Sequence, residues 1–247
     1  MFRVLALAVV GGLCAQPALA APDGQAVLAK VDAAANRAKD ITATLKLTIS
    51  EPGGSRAERT LQLWQKGEDR RMAKFTAPAR VKGVGLLAKG DDAVYLYLPA
   101  FGRVRRVVGR NRGDSFFGTD FTQDDMARIT YSERFTAKLL EDGAEHWTLR
   151  LDPRNPGDEP HHHLVLRVRK SDHVVASLTA HDTVDGKPVR TITATDVKTV
   201  GTQALAHRIE ARDEQTGRTT LALLEDVATD TGLEDGFFSK RHLERSR

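Results

Sequence analysis

The chain has 247 residues, of which 28% are charged and 40% are hydrophobic, and its formal net charge is +4. This charge is mild and gives no reason to expect nucleic acid as a partner. The single cysteine, Cys14, excludes a disulfide scaffold, and its place near the N-terminus leaves the rest of the chain without a thiol nucleophile or a thiolate metal site. The stability of the fold must therefore come from a hydrophobic core.

The N-terminus has the pattern of a secretory signal peptide. Arg3 is followed by an apolar run over residues 4–15 and by a small-residue cleavage pattern that ends at Ala20. We predict cleavage after Ala20, which gives a soluble mature protein that works outside the cytoplasm. The apolar run is well short of the ~20 residues that a membrane-spanning helix needs. Leu13 does not suit a lipoprotein signal at Cys14, so no lipid anchor is expected.

The following residues predict one helix and then a long series of strands. Apolar residues at helical steps after the N-cap candidate Asp23 predict a helix over residues 24–39. The apolar period then changes to two, which predicts a strand over 41–50, a turn at 52–54 and a second strand through Leu61. Further strands are predicted at 70–76, 84–89, 93–98, 103–108, 130–138, 145–152, 163–169, 173–182, 189–199, 205–213 and 218–227.

Two short helices are predicted to interrupt or end this series. Thr122 and Asp125 have capping-box spacing, which predicts a helix that begins near Phe121, and residues 237–243 predict a last helical turn. Because the strands follow one another at short spacing, neighbours should pair antiparallel and form one large curved sheet. The sequence shows no repeat and no linker, so we predict one domain over residues 21–247.

Four blocks of sequence, in this order, resemble a known family. They are FTAPARVKGVGLL at 75–87, DDAVYLYLPAFGRVRRV at 91–107, SFFGTDFTQDDM at 115–126 and LEDGFFSKRHLE at 233–244. Their order and spacing behind an N-terminal helix resemble the outer-membrane lipoprotein-sorting protein family, whose members are similar to the periplasmic carrier LolA.

This resemblance implies a fold, a function and partners. The fold is mainly β, a single strongly curved antiparallel sheet or incomplete barrel, with an N-terminal helix and short helices that cover its concave face. The function is that of a periplasmic carrier that binds lipid or lipoprotein acyl chains in an apolar cavity, without catalysis or a cofactor. The partners are a lipid or acylated protein, an inner-membrane transporter of the resistance-nodulation type that exports envelope lipid, and transiently the membrane. A non-shuttling module that senses lipid or docks onto a transporter is the alternative, and the sequence leaves it open.

Apolar residues at alternating strand positions are the candidates for lining the cavity. The alternative is that they fill a packed core, since the sequence does not tell which strand face is concave. One strand, with two tyrosines on one face, is apolar on both faces, which is typical of a central strand or of one that borders a cavity. The cavity candidates are Leu45, Leu47, Leu61, Leu63, Phe75, Tyr95, Tyr97 and Leu149.

Asp120 and Phe121 lie in the third block and are the candidates for gating a lid. The alternative for Asp120, shared with Thr122, is that its side chain caps the following helix. The arginines of the stretch 103–112 are suited to acidic lipid head groups or to a solvated strand face.

Residues 161–163 are three consecutive histidines beside Asp158 and Glu159. They fit either a metal ion or an exposed turn, and because no further ligand motif accompanies them we predict no metal site. The sequence also lacks a GxSxG elbow, an HExxH pair and a glycine-rich phosphate loop, so an enzyme is not predicted.

Overall fold

The computed structural model of the protein describes residues 22–90 and 93–245, and the predicted signal peptide lies outside them. Short 3-10 turns lie at Pro99–Phe101, Gly109–Gly113 and Asp235–Phe237. The helices are α1 (Gly24–Ala35), α2 (Gln123–Ala127) and α3 (Lys240–Glu244). The strands are β1 (Asp40–Ser50), β2 (Arg56–Lys66), β3 (Arg70–Ala77), β4 (Gly85–Lys89), β5 (Ala93–Leu98), β6 (Arg103–Val107), β7 (Phe135–Asp142), β8 (His146–Pro153), β9 (His163–Arg169), β10 (Val175–His181), β11 (Arg190–Val200), β12 (Gln203–Asp213) and β13 (Thr219–Thr229).

These elements confirm the predicted fold class. In the described part of the chain the thirteen strands form one open antiparallel sheet in the order β6-β5-β4-β3-β2-β1-β13-β12-β11-β10-β9-β8-β7. Each predicted strand is present, as are the capping-box helix α2 and the helical turn near the C-terminus. Within the described residues no helix is long and apolar enough to cross a membrane.

Several predicted boundaries are wrong, among them the end of the first helix and the start of β7, and contacts distant in sequence determine these two. The first helix ends at Ala35 and not at 39, because Gln203 of β12 accepts hydrogen bonds from the backbone N–H groups of Arg37 and Ala38 at 3.1 and 3.2 Å. Strand β7 begins at Phe135 and not at 130, because Asp32 of α1 accepts the backbone N–H groups of residues 131 and 132 at 2.8 and 2.9 Å. These amides are therefore not available to a strand ladder.

The order of the sheet places consecutive strands β6 and β7 at opposite edges. The connection between them, residues 108–134, therefore passes from one edge to the other, and we call it the cover segment. It carries α2 and contacts strands from both halves of the sheet through Arg71 of β3 and Arg190 of β11. The cover segment thus spans the opening that an unclosed sheet leaves.

The sheet is strongly bent around its inner face. Strands β3 and β10 are six strand steps apart in the sheet order, which would be roughly 29 Å in a flat sheet. Residues of both strands nevertheless line the same cavity. A register shift between β1 and β13 at Thr42 and Thr44, with Asp226 at a φ of 50°, marks a bulge of the kind that bends a sheet.

The outer face of β2 to β5 is covered by residues 233–245, which we call the C-terminal segment. Phe238 and Leu243 of this segment pack with Met72 and Leu87 of the sheet, and all four side chains are 0–1% exposed. Asp40 at the start of β1 fixes the approach to this segment by accepting the backbone N–H groups of residues 231–233 at 2.8 to 3.1 Å. These hydrogen bonds lower the pKa of Asp40 although its burial would raise it.

The C-terminal segment explains why β5 is apolar on both faces. Val94 and Leu96 point into the inner core, whereas Tyr95 and Tyr97 point to the outer face. The Lys240 ammonium lies 4.1 Å from the centroid of the Tyr95 ring, a cation–π contact that adds to the packing. The strand is thus internal to the sheet, buried on its inner side and partly buried on its outer side.

A candidate binding cavity beneath the cover segment

An apolar cavity of about 340 Å³ lies between the inner face of the sheet, α1 and the cover segment. This volume is within the range of about 300–1,000 Å³ that is usual for small-molecule sites. The cavity is lined by strands from both halves of the sheet, so it exists only because the sheet bends. Its apolar lining includes Val31, Ala34, Ile41, Ala43, Leu45, Leu47, Leu63, Phe121, Met126, Ile129, Val175, Leu178, Ile192, Ala206, Ile209, Ala222 and Leu224.

The cavity wall combines small residues with incompletely buried large ones. Ala43 and Ala222 are 1–2% exposed and bring little side chain into the space. Leu63, Ile209 and Leu224 are on the same inner face but are only partly buried, since no side chain fills the volume in front of them. Removing such surface from water is favourable, so the wall is suited to an apolar ligand.

The polar groups at the α1 end of the cavity are satisfied by one another. Gln203 donates to the backbone oxygen of Ala34 at 2.8 Å while its side-chain oxygen accepts the two amides that follow α1. Gln65 donates to the side-chain oxygen of Asn36 at 3.0 Å and accepts from Arg71. Because these groups are already hydrogen-bonded, this end of the cavity makes little demand for polar atoms on a ligand.

Helix α2 positions the apolar side chains of the cover segment over the cavity. Thr122 is its N-cap and forms the predicted capping box, in which the Asp125 amide donates to Thr122 Oγ1 at 3.0 Å and the Asp125 carboxylate accepts the Thr122 amide at 2.7 Å. This start fixes the direction of the helix. Phe121, Met126 and Ile129 then face the cavity.

A buried charge cluster, formed by Asp124, Arg128, Arg134 and Glu159, holds the far end of the cover segment. Asp124 is 1% exposed and pairs with Arg128 and, at 2.8 Å, with Arg134, while Arg134 also reaches Glu159 at 2.5 Å. Burial and the neighbouring Arg134 lower the pKa of Arg128 to about 10. The cluster is directional and shielded from water, so its loss would leave buried charges without partners.

Two further contacts join the cover segment to strands in the two halves of the sheet. Arg71 of β3 donates to the backbone oxygen of Arg128 at 2.6 Å, and burial lowers the pKa of Arg71 to about 10. Arg190 of β11 pairs with Asp125. Burial alone would raise the pKa of Asp125, but Arg190 and the hydrogen bonds from Thr122 outweigh it and hold the pKa below its ordinary value.

The two residues predicted to gate a lid both lie on the cover segment. Asp120 is buried and accepts from Arg218 Nε at 2.8 Å and from Thr220 Oγ1 at 2.7 Å, so it joins the segment to β13. It does not cap α2, since that position belongs to Thr122. Phe121 is 7% exposed and faces the cavity. A gating role for either residue stays a prediction.

The structure divides the eight predicted cavity residues into three groups. Leu45, Leu47 and Leu63 line the cavity. Leu61 and Phe75 lie on the same inner face but are 0–1% exposed within the packed core.

The remaining three lie elsewhere. Leu149 is buried beneath α1 among Val27, Leu28 and the strands β8 to β10. Tyr95 and Tyr97 lie on the outer face, against the C-terminal segment. A lipid-binding role for any of the eight residues stays a prediction, and the geometry brings only the first group to the cavity.

The arginine stretch is split by the structure. Arg103, Arg105, Arg106 and Arg110 are exposed on or after the edge strand β6. Arg112 is buried instead, and its Nε lies 3.7 Å from Asp124 Oδ1. The prediction of a solvated face therefore fails for Arg112, which contributes charge to the interior.

The three histidines lie at the start of β9 and contact residues at the end of β10. His161 Nδ1 lies 2.7 Å from Asp182, and His163 stacks on His181 with ring centroids 4.4 Å apart. Among residues 22–90 and 93–245 no group of three or more His, Cys, Asp or Glu side chains is placed to hold a metal ion.

The sequence did not predict most of the polar residues that hold the cover segment over the cavity. Asp124 and Arg128 have i, i+4 spacing, a signal that a helical ion pair gives in the sequence. Arg71, Arg190 and Glu159 have no such signal, because their partners are far away along the chain.

A family model and several solved structures match the chain. A family model described as "Uncharacterized protein" matches residues 67–245. A search among curated proteins finds no match to the chain.

Three solved structures are similar along nearly their whole length. One is a candidate outer membrane lipoprotein-sorting protein domain from Vibrio parahaemolyticus, with a TM-score of 0.80 and 24% sequence identity. The match covers 90% of this chain and 98% of that domain. A LolA superfamily protein from Nitrosomonas europaea has a TM-score of 0.75 at 18% identity, with 90% and 100% covered. A DUF1329 family protein from Desulfovibrio piger has a TM-score of 0.80 at 21% identity, with 89% and 97% covered. The chain therefore belongs to the family defined by the model over residues 67–245, and its fold is that of the LolA superfamily and of the outer membrane lipoprotein-sorting protein domains.

Proposed function

We propose that the protein is a periplasmic carrier that holds the acyl chains of a lipid or lipoprotein in the cavity beneath the cover segment. The observation that carries this proposal is the cavity of about 340 Å³, whose wall includes partly buried leucine and isoleucine side chains. The fold shared with a LolA superfamily protein supports it. The carrier performs no catalysis, because transport through water requires only that the hydrocarbon be shielded.

The energetics of such a site favour an acyl chain. Each methylene removed from water contributes about 0.8 kcal/mol, so a tail of ~10 methylenes gains roughly 8 kcal/mol before the cost of ordering is subtracted. Because association itself costs several kcal/mol, a tail of this length should bind reversibly, which leaves exchange within reach. Leu45, Leu47 and Leu63 of β1 and β2 provide one wall for the tail, and Ile209 and Leu224 of the adjoining strands β12 and β13 continue it.

Uptake and release require the cover segment to move. Its polar contacts with the sheet are a small number of hydrogen bonds and ion pairs, and Phe116, Phe121 and Met126 add apolar packing. A state in which these contacts are broken is a discrete alternative. We assign gating to Asp120, which joins the segment to β13, and to Phe121, which faces the cavity. A ligand in the cavity would then favour whichever state gives it more contact.

The site of action and the partners follow from the same proposal. The N-terminal residues have the pattern of a signal peptide cleaved after Ala20, which would deliver the carrier to the periplasm. There it would exchange cargo with an inner-membrane exporter of the resistance-nodulation type. The exposed arginines of β6 are suited to brief contact with acidic head groups at a membrane surface.

A matched pair of substitutions on β13 tests the cavity. Leu224 faces the cavity, whereas the preceding residue, Leu223, is 37% exposed and lies outside its lining. Leu224→Trp should fill part of the cavity and weaken binding of a fluorescent fatty-acyl probe at least tenfold, while Leu223→Trp should leave binding unchanged. Equal affinities in both variants would contradict the proposal.

A second measurement asks what the protein carries in its host. Protein purified under native conditions and analysed by mass spectrometry after denaturation should release lipid in a defined ratio. Lipid content should fall in Leu224→Trp and not in Leu223→Trp. If neither co-purified lipid nor binding of the acyl probe is found, the carrier function is wrong.

A further inference from the structure

Arg59 is a buried cation on the inner face of β2 next to the cavity wall. It pairs across the strands with Leu47 of β1, which lines the cavity. The residue is 9% exposed, and its Nε and Nη1 atoms have no hydrogen-bond partner within residues 22–90 and 93–245. Such a group is costly to bury, so its retention calls for a partner from outside the chain.

The other buried arginines of the described residues differ from Arg59 in one respect. Arg128 and Arg190 form ion pairs with Asp124 and Asp125, and the Nε of Arg112 lies 3.7 Å from Asp124. Arg59 has no ion pair with any carboxylate of the described residues. The interior thus provides counter-charges for these arginines and leaves Arg59 without one.

The surroundings of Arg59 are an aromatic ring and two further cations. Its guanidinium carbon lies 5.9 Å from the centroid of the Phe75 ring, a cation–π contact that offsets only part of the charge. Burial and the positive charges of Arg80 and Arg218 lower the pKa of Arg59. Arg218 is balanced by Asp120, whereas Arg80 is exposed on the loop between β3 and β4. A second cation is therefore available beside Arg59.

Gly118 leaves room for the Nη2 end of the guanidinium. It is exposed, has a φ of 70°, and a Cβ atom added there would lie only 3.3 Å from Arg59 Nη2. Any side chain at this position would therefore crowd the guanidinium. The preceding Phe117 also has a positive φ, 53°, a conformation that non-glycine residues adopt only at a cost. The FFGTD block thus combines a strained turn with a glycine directly beside Arg59.

We propose that Arg59 binds an oxyanion, either phosphate or carboxylate, beneath Gly118. Arg59 Nη2 lies beside Gly118 and can donate to such a group, and the charge of the guanidinium strengthens this hydrogen bond. The anion is either a free ion or the head group of an acidic lipid whose tail lies against Leu47. The second case rests on the proposed carrier function.

The test compares two amphiphiles with the same chain, dodecyl phosphate and dodecanol, and inorganic phosphate alone. The variant is Arg59→Met, which keeps the apolar stem, and the control is Arg56→Met, an exposed arginine on the same strand. The full protein should bind dodecyl phosphate at least tenfold more tightly than dodecanol. Arg59→Met should abolish this difference without weakening dodecanol, and Arg56→Met should preserve it. A preference that survives in Arg59→Met overturns the proposal.

The other arms separate this proposal from the carrier function. If neither amphiphile binds but inorganic phosphate raises the melting temperature of the full protein and not of Arg59→Met, the anion site stands without the carrier. If both amphiphiles bind equally and phosphate has no effect, the anion site is wrong and the carrier stands. Without ligand, Arg59→Met should melt no lower than the full protein, because an unpaired buried charge is removed. A lower melting temperature would show a structural role and count against the site.

Discussion

The two faces of strands β2 to β5 are both apolar, yet they are covered in different ways. On the outer face the C-terminal segment packs Phe238 and Leu243 onto Met72 and Leu87 with 0–1% exposure. On the inner face the cover segment packs Phe116 and Met126 into the core and is held by buried ion pairs and hydrogen bonds, but it leaves a cavity of about 340 Å³. The first cover fills its space, and the second encloses one.

This difference indicates which cover is structural and which one moves. Close apolar packing is the sum of many small contacts that must be lost together. The outer cover should therefore separate only when the protein unfolds. Both covers also make ion pairs, but Asp235 of the outer cover is exposed, whereas Asp124 of the inner cover is buried beside an unfilled cavity. Buried ion pairs are few and directional, so we expect the inner cover to have discrete states. We therefore expect the outer cover to determine global stability and the inner one to determine exchange of cargo.

The largest effect should come from the outer cover. Phe238→Ala removes a fully buried ring and should lower the free energy of unfolding by about 3–5 kcal/mol, measured by urea denaturation. The control is Phe101→Ala, whose side chain is 71% exposed and whose loss should change stability by less than about 0.5 kcal/mol. A loss below about 1 kcal/mol in Phe238→Ala would show that the C-terminal segment is not structural.

The inner cover should give a smaller and more local effect. Asp124→Ala leaves Arg128 and Arg134 without this carboxylate, at a cost of about 3 kcal/mol. Amide hydrogen exchange should accelerate in the cover segment more than in β2 to β5. Glu225→Ala breaks only the exposed pair with Lys46 and should cost about 0–1 kcal/mol. Uniform acceleration along the chain after Asp124→Ala would contradict two independent covers.

The sequence predicts the strands well because their signals are local. Alternating residues such as those of β1 and turn residues between strands repeat within each short stretch. The start of β7 could not be predicted in this way, because Asp32 of α1 takes the amides of residues 131 and 132. Local patterns do not contain this contact, which joins residues about a hundred positions apart.

The site was less predictable than the fold for the same reason. Leu61 and Leu63 alternate identically in the sequence, but only Leu63 lines the cavity. The alternation of β5 predicts that Tyr95 and Tyr97 share a face, but it does not contain the information that the C-terminal segment covers that face. Likewise, that Arg59 lacks a carboxylate is evident only once the partners of the other buried arginines are known.

Acid should destabilise a third region, the outer face of β9 and β10, before it affects either cover. Burial, with the positive charges of Arg150 and His181, lowers the pKa of His163 to about 4, below its ordinary 6.5. Between these values the unfolded chain binds more protons than the folded one, so stability falls as pH falls from 6.5 towards 4. From pH 7 to pH 5 the free energy of unfolding should drop by about 1–2 kcal/mol.

The control variants assign this drop to one ring. His163→Gln keeps a polar side chain of similar size and should remove most of the pH dependence in this range, measured by urea denaturation at each pH. His207→Gln alters a partly exposed ring and should retain the dependence. If the drop persists unchanged in His163→Gln, the buried neutral histidine is not its cause.

The smallest effect sharpens the comparison on the inner face itself. Leu61 and Leu63 lie on one strand and point to the same side, but Leu61 is 0% exposed in the core whereas Leu63 faces the cavity. Leu61→Ala creates a new void and should cost about 2–5 kcal/mol. Leu63→Ala only enlarges a space that is already present. The ligand-free protein should therefore lose no more than about 1 kcal/mol, which is less than the free energy of transfer of a fully buried leucine side chain. Adding an acyl ligand should widen the difference between the full protein and Leu63→Ala, since the bound tail restores the contacts that Leu63 lacks when the cavity is empty. Equal costs for the two leucines without ligand would mean that the cavity is closed by packing in solution, and the distinction between a filled and an enclosing cover would not hold.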